Sequence, residues 1–316
     1  METSAAFFVM EGINMSVPAA YVGVLLIWGT TPLAIQWSGQ GVGYLFGVTG
    51  RMVIGVVLAL LLLRLIGLRL AWHKTARHTY MAAGLGIFIA MTSVYWSAQY
   101  IPSGWISVIF GLSPIITGLM ARYWLNERGM DASRLVAVLI SLSGLVTIFS
   151  VGIKAGPEFA LGLCGMLVSV ITHSASAVWV KRIDAQLHGL VVTAGGLLVA
   201  VPLFLLSWFI QGESWPQVIG ERALASIVYL GIIGSVLGFA LYFYILKSVE
   251  TTKVALITLI TPLFALLAGQ WLNGEQIDQR VWLGTGLILL GLALFEFWGR
   301  GLPQLRFNRA RESEGQ

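Results

Sequence analysis

Hydrophobic residues run along this chain in long blocks, not in the alternating or every-third-residue patterns of a water-soluble fold. A hydrocarbon layer is crossed by about 20 helical residues at 1.5 Å per residue, and ten blocks reach that length. The first five lie near Val17–Ile35, Val42–Leu63, Tyr80–Tyr100, Trp105–Leu125 and Leu135–Val151. The second five lie near Leu161–Val180, Leu190–Ile210, Ala223–Leu246, Val254–Leu272 and Val281–Trp298. The pattern predicts an all-α polytopic membrane protein with ten transmembrane helices.

The chain also contains itself twice. Ser113–Glu127 returns almost intact as Thr261–Glu275. Each copy has a proline inside an apolar run (Pro114, Pro262), then Trp-Leu-Asn, then a glutamate thirteen residues after the proline. A proline inside a helix leaves the carbonyl four residues earlier without its donor, here Phe110 and Thr258. The bend is tolerable in a membrane only beside packed protein or a cavity. Proline and glutamate stand about 20 Å apart, so the kink falls near mid-bilayer and the carboxylate at its edge. Each copy is expected to be a spanning helix with a hinge at its centre.

Composition and charge narrow the class. Hydrophobic residues make up 57% and charged residues 10% of 316, with a mean hydropathy of +0.85. Soluble domains carry about a quarter charged residues, so none is expected here. The net charge of +5 would suit nucleic acid, but the basic residues sit in short connections between apolar blocks, as cytoplasmic loops do, so nucleic acid is excluded as a partner. Cys164 is the single cysteine, which excludes an internal disulfide; lying in an apolar run, it is expected to be a buried small hydrophobe.

Orientation follows from lysine and arginine. With alternate connections assigned to alternate sides, fifteen of the nineteen fall on one side, Lys154, Arg222 and Arg280 on the other, and Arg51 inside a span. Both termini are therefore expected in the cytoplasm, with the protein multi-pass in the cell (inner) membrane. Residues 1–16 form a cytoplasmic tail, not a signal peptide, because the short run Ala5–Met10 is flanked by acids; Met10 and Met15 stand as alternative starts. Residues 17–151 and 161–298 form the two repeats, and 299–316 a basic cytoplasmic tail. Five crossings is an odd number, so the second copy enters from the opposite side and the halves are expected as inverted repeats. Such halves hold a solute site near the midplane and rock to expose it to alternate sides.

Leu25–Thr30 aligns with Val170–Ala175, which sets Trp28 against His173, and the tyrosines Tyr80 and Tyr95 match Tyr229, Tyr242 and Tyr244. Most tryptophans fall near predicted span edges, where an amphipathic ring settles; Trp28 and Trp96 lie well inside.

Taken together, these residues resemble the EamA branch of the drug/metabolite transporter superfamily. The marks are Trp28-Gly29, Arg51 opening Arg-Met-Val-Ile-Gly55, Pro114 and Pro262 with Glu127 and Glu275, and the glycines of the fifth and tenth spans (Gly144; Gly284, Gly286, Gly291). The resemblance covers about residues 17 to 298. It implies a basket of ten helices around a cavity lined mainly by spans one, three, four, six, eight and nine, and export of small metabolites or drugs without a bound cofactor. His173 departs from the pattern, since that position more often holds an aromatic or small residue.

Several side chains are candidate substrate contacts, each with a plainer alternative. Arg51 must face protein or water, because an in-membrane arginine otherwise costs at least about 2.5 kcal/mol. It either anchors an anionic group such as a carboxylate or ties helix carbonyls together. His173 can line the pocket, couple protons, or simply pack; desolvation would keep it neutral, and a neutral ring can still hydrogen bond a solute. Trp28, Tyr95, Trp96, Gln99, Tyr242 and Tyr244 would form an aromatic wall with polar tips, or pack helices. Ser107, Ser113, Thr258 and Thr261 surround the prolines and offer hydroxyls to a cavity or to their own helices. Glu127 and Glu275, beside Arg122, Arg128 and Arg280, are expected in surface pairing or gating, and Asp131 and Asp278 as helix caps. Gly43 with Gly47, and Gly234 with Gly238, allow close helix approach.

The expected function is therefore secondary export of small metabolites, amino acids or related amphipathic compounds among them, with protons a candidate coupling ion. Drug export is an alternative substrate class. A non-transporting scaffold or sensor is a rival that needs neither an in-membrane arginine nor paired kinks. No ATP-binding loop, HExxH metal pair or G-x-S-x-G elbow supports catalysis.

Overall fold

The computed structural model describes residues 16–101, 103–127, 131–149, 156–212, 215–264 and 279–299. These residues are helical, with no strand among them. In order they form α1 (Val17–Ser38), α2 (Tyr44–Ile66), α3 (Lys74–Ser97), α4 (Ser103–Phe110), α5 (Ser113–Leu125) and α6 (Ala132–Phe149). There follow α7 (Pro157–Ile183), α8 (Gly189–Ile210), α9 (Glu221–Tyr229), a π-helical stretch (Leu230–Leu237) and α10 (Gly238–Ser248). The remainder is α11 (Thr251–Ala255), α12 (257–264) and α13 (Gln279–Gly299).

Among the described residues, seven continuous or nearly continuous helices are long and apolar enough to cross a membrane, and Ala132–Ile148, Thr251–Phe264 and Trp282–Phe295 are shorter apolar helices. The fold is inside-out relative to a soluble protein. Leu26, Val57, Leu61, Phe209 and Leu290 stand exposed on the outer surface, whereas Arg51, Ser38, Ser169, Ser174, Thr193 and Ser235 are buried. That distribution suits a hydrocarbon solvent, in which polar groups must find partners within the protein. Cys164 belongs to the outer surface as well. The expectation that it is buried is corrected: an apolar run all round a lipid-facing helix does not say which of its sides looks inward.

Helix ends follow local chemistry. The Ser16 hydroxyl accepts from the Ala19 amide at the start of α1, Nδ1 of His73 from Ala76 at α3, and the Asp131 carboxylate from Arg134 at 2.8 Å at α6, the capping role expected of Asp131. Asp278 and Lys154 lie outside the described residues. His188 caps α8 by accepting from Leu190, and partial burial, then Lys247, holds its pKa below the ordinary histidine value. The Trp-Leu-Asn of the repeat also gains a reason: Asn126 ends α5 in the left-handed region at φ 53°, which asparagine tolerates better than most residues.

The proline repeat departs from a simple central hinge. The first copy is two helices, α4 and α5, separated at Gly111 and Leu112, and Pro114 occupies the first turn of α5, where no amide hydrogen is needed. In the second copy the break falls earlier relative to the proline, at Leu256 between α11 and α12. Pro262 lies within α12, and the Thr261 hydroxyl bonds the freed Thr258 carbonyl at 3.4 Å. Trp271, Asn273 and Glu275 lie outside the described residues.

Two bundles of contacts hold the helices together. α3 packs on α7 and α8, α2 on α8 and the π-helical stretch, and α1 on α9 and α10, forming one continuous core. α6 packs chiefly on α13. There glycines do the work: a Cβ on Gly144 would fall 2.4 Å from the Gly284 carbonyl oxygen, and one on Gly291 2.4 Å from that of Ala137. The backbones meet almost directly, as small residues allow in membranes.

Candidate functional site: a central cavity walled by both halves

Trp28, Thr31, Pro32 and Ile35 recur at helical spacing on one face of α1 and turn it inward. Opposite them stand Ile106, Ser107 and Phe110 of α4, Met91 and Val94 of α3, and Thr258 and Thr261 beside the second break. Arg51, Phe239 and His173 complete the lining of this cavity. The breaks and Pro32 bring non-helical or proline-bearing backbone to the cavity, where a membrane protein can accommodate it.

Aromatic rings form the cavity floor. Trp28 lies 5.9 Å from His173 and 5.2 Å from Tyr242 between ring centroids, and His173 lies 5.3 Å from Tyr242 and 6.1 Å from Phe110. The two positions matched by internal alignment, 28 and 173, thus touch. Beneath them a second recess of about 250 Å³ is lined by Ser113, Thr117, Tyr242, Thr251 and Ala255, and shares Trp28, His173 and Thr258 with the first. Thr117 bonds Ser174 at 2.9 Å. The Ser113 hydroxyl is buried with no bonding partner among the described residues.

The connections gather in two sets, at the two ends of the cavity. At one end Gln36 donates to the Ile101 carbonyl at 3.1 Å, and a wide outer recess of about 730 Å³, lined by Gln36, Gln40, Tyr44, Tyr95 and Gln99, shares Ile35 with the cavity. At the other end the chain is stitched shut. The Glu127 carboxylate accepts from the Thr251 amide at 3.1 and 3.3 Å and from the Thr251 hydroxyl at 3.1 Å. Lys181 donates to the carbonyls of Leu246, at 2.9 Å, and Val249, and Tyr21 to that of Lys253 at 3.0 Å. Glu127 therefore joins α5 of the first half to α11 of the second. Among the described residues Glu127 makes no ion pair with Arg122, and Arg128 lies outside them; an unsatisfied amide at a helix start is itself a ready anion partner.

Arg51 is 2% exposed and lines the cavity. Its Nε donates to Ser235 Oγ at 2.9 Å and its Nη1 to the Tyr95 hydroxyl at 3.4 Å, with the Phe239 ring 5.9 Å away. Its described partners are hydroxyls of two other helices, not backbone carbonyls. Tyr95 is thus a positioning contact, buried beside Arg51.

The other expected contacts sort by helix rotation. Trp96 turns from the cavity and packs on α7 at Gly165, where a Cβ would come within 2.8 Å of the indole. Gln99 bonds the Trp96 carbonyl and lines the outer recess. Tyr244 lines none of these recesses, and Tyr80 lies in a groove over Gly195. Sequence reasoning did not single out Thr31, Pro32, Met91, Phe239 or Ser235. Pro32 alone carried a signal, as a proline inside an apolar block.

The profile of the EamA-like transporter family matches this chain twice, over residues 17–150 and 160–297. The chain belongs to that family. Among relatives, an uncharacterized transporter of Archaeoglobus fulgidus is 25% identical over 269 residues, covering 84% of this chain and 93% of that protein. The uncharacterized inner membrane transporter YedA of Escherichia coli is 24% identical over 282 residues, covering 87% and 89%. The uncharacterized transporter YoaV of Bacillus subtilis is 25% identical over 286 residues, covering 87% and 95%. One crystal structure superposes with a TM-score of 0.73 at 18% identity, covering 90% of this chain and 97% of that one, a likeness of fold. This EamA-family chain is thus a multi-pass membrane protein of a transporter family.

Proposed function

We propose that this protein exports small amphipathic metabolites, amino acids or related compounds among them, across the cell membrane by alternating access. It does so as ten membrane crossings in two inverted five-helix halves, with both termini cytoplasmic. The observation that carries the reading is a cavity built from both halves, stitched at one end by Glu127 and Thr251 and joined at the other to a wide recess. That is the expected shape of a carrier caught open to one side. The contact of Trp28 with His173 adds support, since equivalent positions of inverted halves meet only near their shared axis.

In transport, the solute settles on the aromatic floor, Arg51 and the cavity hydroxyls orient it, and the stitched end parts as the other closes. His173 sits where a proton could move with the solute, which makes it the candidate coupling group. The test is a comparison of metabolites in the medium of cells lacking and overproducing the protein, followed by flux in proteoliposomes with and without a pH gradient. Accumulation of at least one small solute outside the overproducing cells, and its movement in vesicles, is expected. Identical media and no flux would sink the proposal.

The unequal breaks sharpen the hinge expectation. Pro262→Ala restores an amide that can bond the Thr258 carbonyl within α12, so insertion should persist while flux falls several-fold. Pro114→Ala should do less, because Pro114 sits in a first turn that needs no donor. Equal flux in Pro262→Ala and the parent protein would remove the hinge role.

A further inference from the structure

We infer that the cavity selects solutes bearing a single carboxylate on an apolar body, and that Arg51 is the specificity-determining residue. The inference rests on the transport reading for its cargo, but its chemistry stands on the surroundings of Arg51.

A guanidinium offers five N–H donors. Two find acceptors among the described residues, Ser235 and Tyr95, both neutral hydroxyls. No carboxylate of the described residues pairs with Arg51; the one ion pair within 4.0 Å that joins two described residues is Lys253 with Glu250. The described acidic side chains, such as Glu127, Asp184 and Glu250, lie at helix ends or connections, and none lines the cavity. A buried cation with unfilled donors and an open cavity beside it is costly until an anion arrives, and a carboxylate matches its fork with two parallel bonds.

The head group is also held in place. Ser235 comes from the π-helical stretch, whose wider winding shifts the register of its side chains. Close approach of that stretch to α2 depends on glycine: a Cβ on Gly55 would lie 3.1 Å from Ser235 Cβ, and one on Gly234 3.3 Å from Nη2 of Arg51. An arginine fixed before its ligand arrives loses little freedom on binding.

The remaining wall restricts the rest of the solute. Arg51 is the one lysine or arginine among the described residues that line the cavity, so a second anionic group finds no second cation there. An added cation meets aromatic faces but no described carboxylate. Trp28, Met91, Phe110 and Phe239 instead offer contact to an apolar body.

The test uses the full-length protein and three probes on one skeleton: 3-phenylpropionate, its amide and 3-phenylpropylammonium. Binding is read by thermal shift and tryptophan fluorescence in detergent, and movement by flux in proteoliposomes. The carboxylate should bind at least about tenfold more tightly than the amide, with the ammonium weakest. Arg51→Gln should bring carboxylate and amide within about twofold while amide binding persists, and Arg51→Lys should restore part of the difference. Should Arg51→Gln fail to accumulate, the wild-type comparison decides alone: a carboxylate bound no more tightly than its amide overturns the inference. Selective carboxylate binding without flux of any probe would leave the selectivity standing and sink transport. Flux of all three probes at like rates would do the reverse.

Discussion

Replacing Gly144 with leucine is expected to remove most of the folded protein from the membrane. A Cβ at this position already falls 2.4 Å from the Gly284 carbonyl oxygen and 3.0 Å from the Ile288 amide nitrogen. Both are backbone atoms, so no rotamer change relieves the clash, and α6 must separate from α13. Overpacking a core typically costs ~1–3 kcal/mol, and a full leucine against rigid backbone belongs at or beyond the upper end. Because α6 packs far more on α13 than on α4 or α5, little of the loss is taken up by its other partners. Gly286 on α13 supplies the control, since nothing lies within 4 Å of a Cβ built there. Membrane yield and the melting midpoint in detergent should collapse for Gly144→Leu and stay near the parent values for Gly286→Leu. Similar behaviour of the two variants would mean that the glycine contact does not hold this helix pair.

Replacing Glu127 with alanine is expected to open the stitched end of the cavity. The carboxylate receives the amide and hydroxyl of Thr251, and a hydrogen bond to a charged group contributes roughly 1.5–3 kcal/mol. Losing even the lower figure shifts an open-to-closed equilibrium about tenfold. The measurement is the rate at which a membrane-impermeant maleimide, added on the side of residues 126 and 251, labels Ala255→Cys in the inner recess. Cys164, exposed on the outer surface, is replaced first by alanine to clear the background. Labelling should rise at least tenfold in Glu127→Ala and less in Glu127→Gln, which keeps an acceptor oxygen. An unchanged rate would make Glu127 a static tether.

What could be read from the chain and what could not divide along a physical line. Membrane helices announce themselves through length and composition, and the need of Arg51 for partners follows from the solvent alone. The internal repeat made the equivalence of Trp28 and His173 legible, though not that their rings meet. Helix rotation was not: in a block apolar on all sides, nothing tells Tyr95, which faces Arg51, from Trp96, which packs on α7. The same blindness made Cys164 look buried. Ser235 was hidden for another reason, since its approach to Arg51 depends on a π-helical stretch that no local pattern marks. The role of Glu127 was obscured by its neighbours in sequence, Arg122 and Arg128, while its partner Thr251 lies 124 residues away.

The two copies of the proline motif break at different depths, one just ahead of Pro114 and the other six residues before Pro262. A duplicated machine with mismatched joints has no mirror state to return to. If the chain works as the carrier proposed above, its resting form is one-sided, and the concentrations that half-saturate it from the two faces of the bilayer should differ. For a carrier without a coupled ion, the maximal rates must differ in the same proportion, because no passive device can favour one direction at equilibrium.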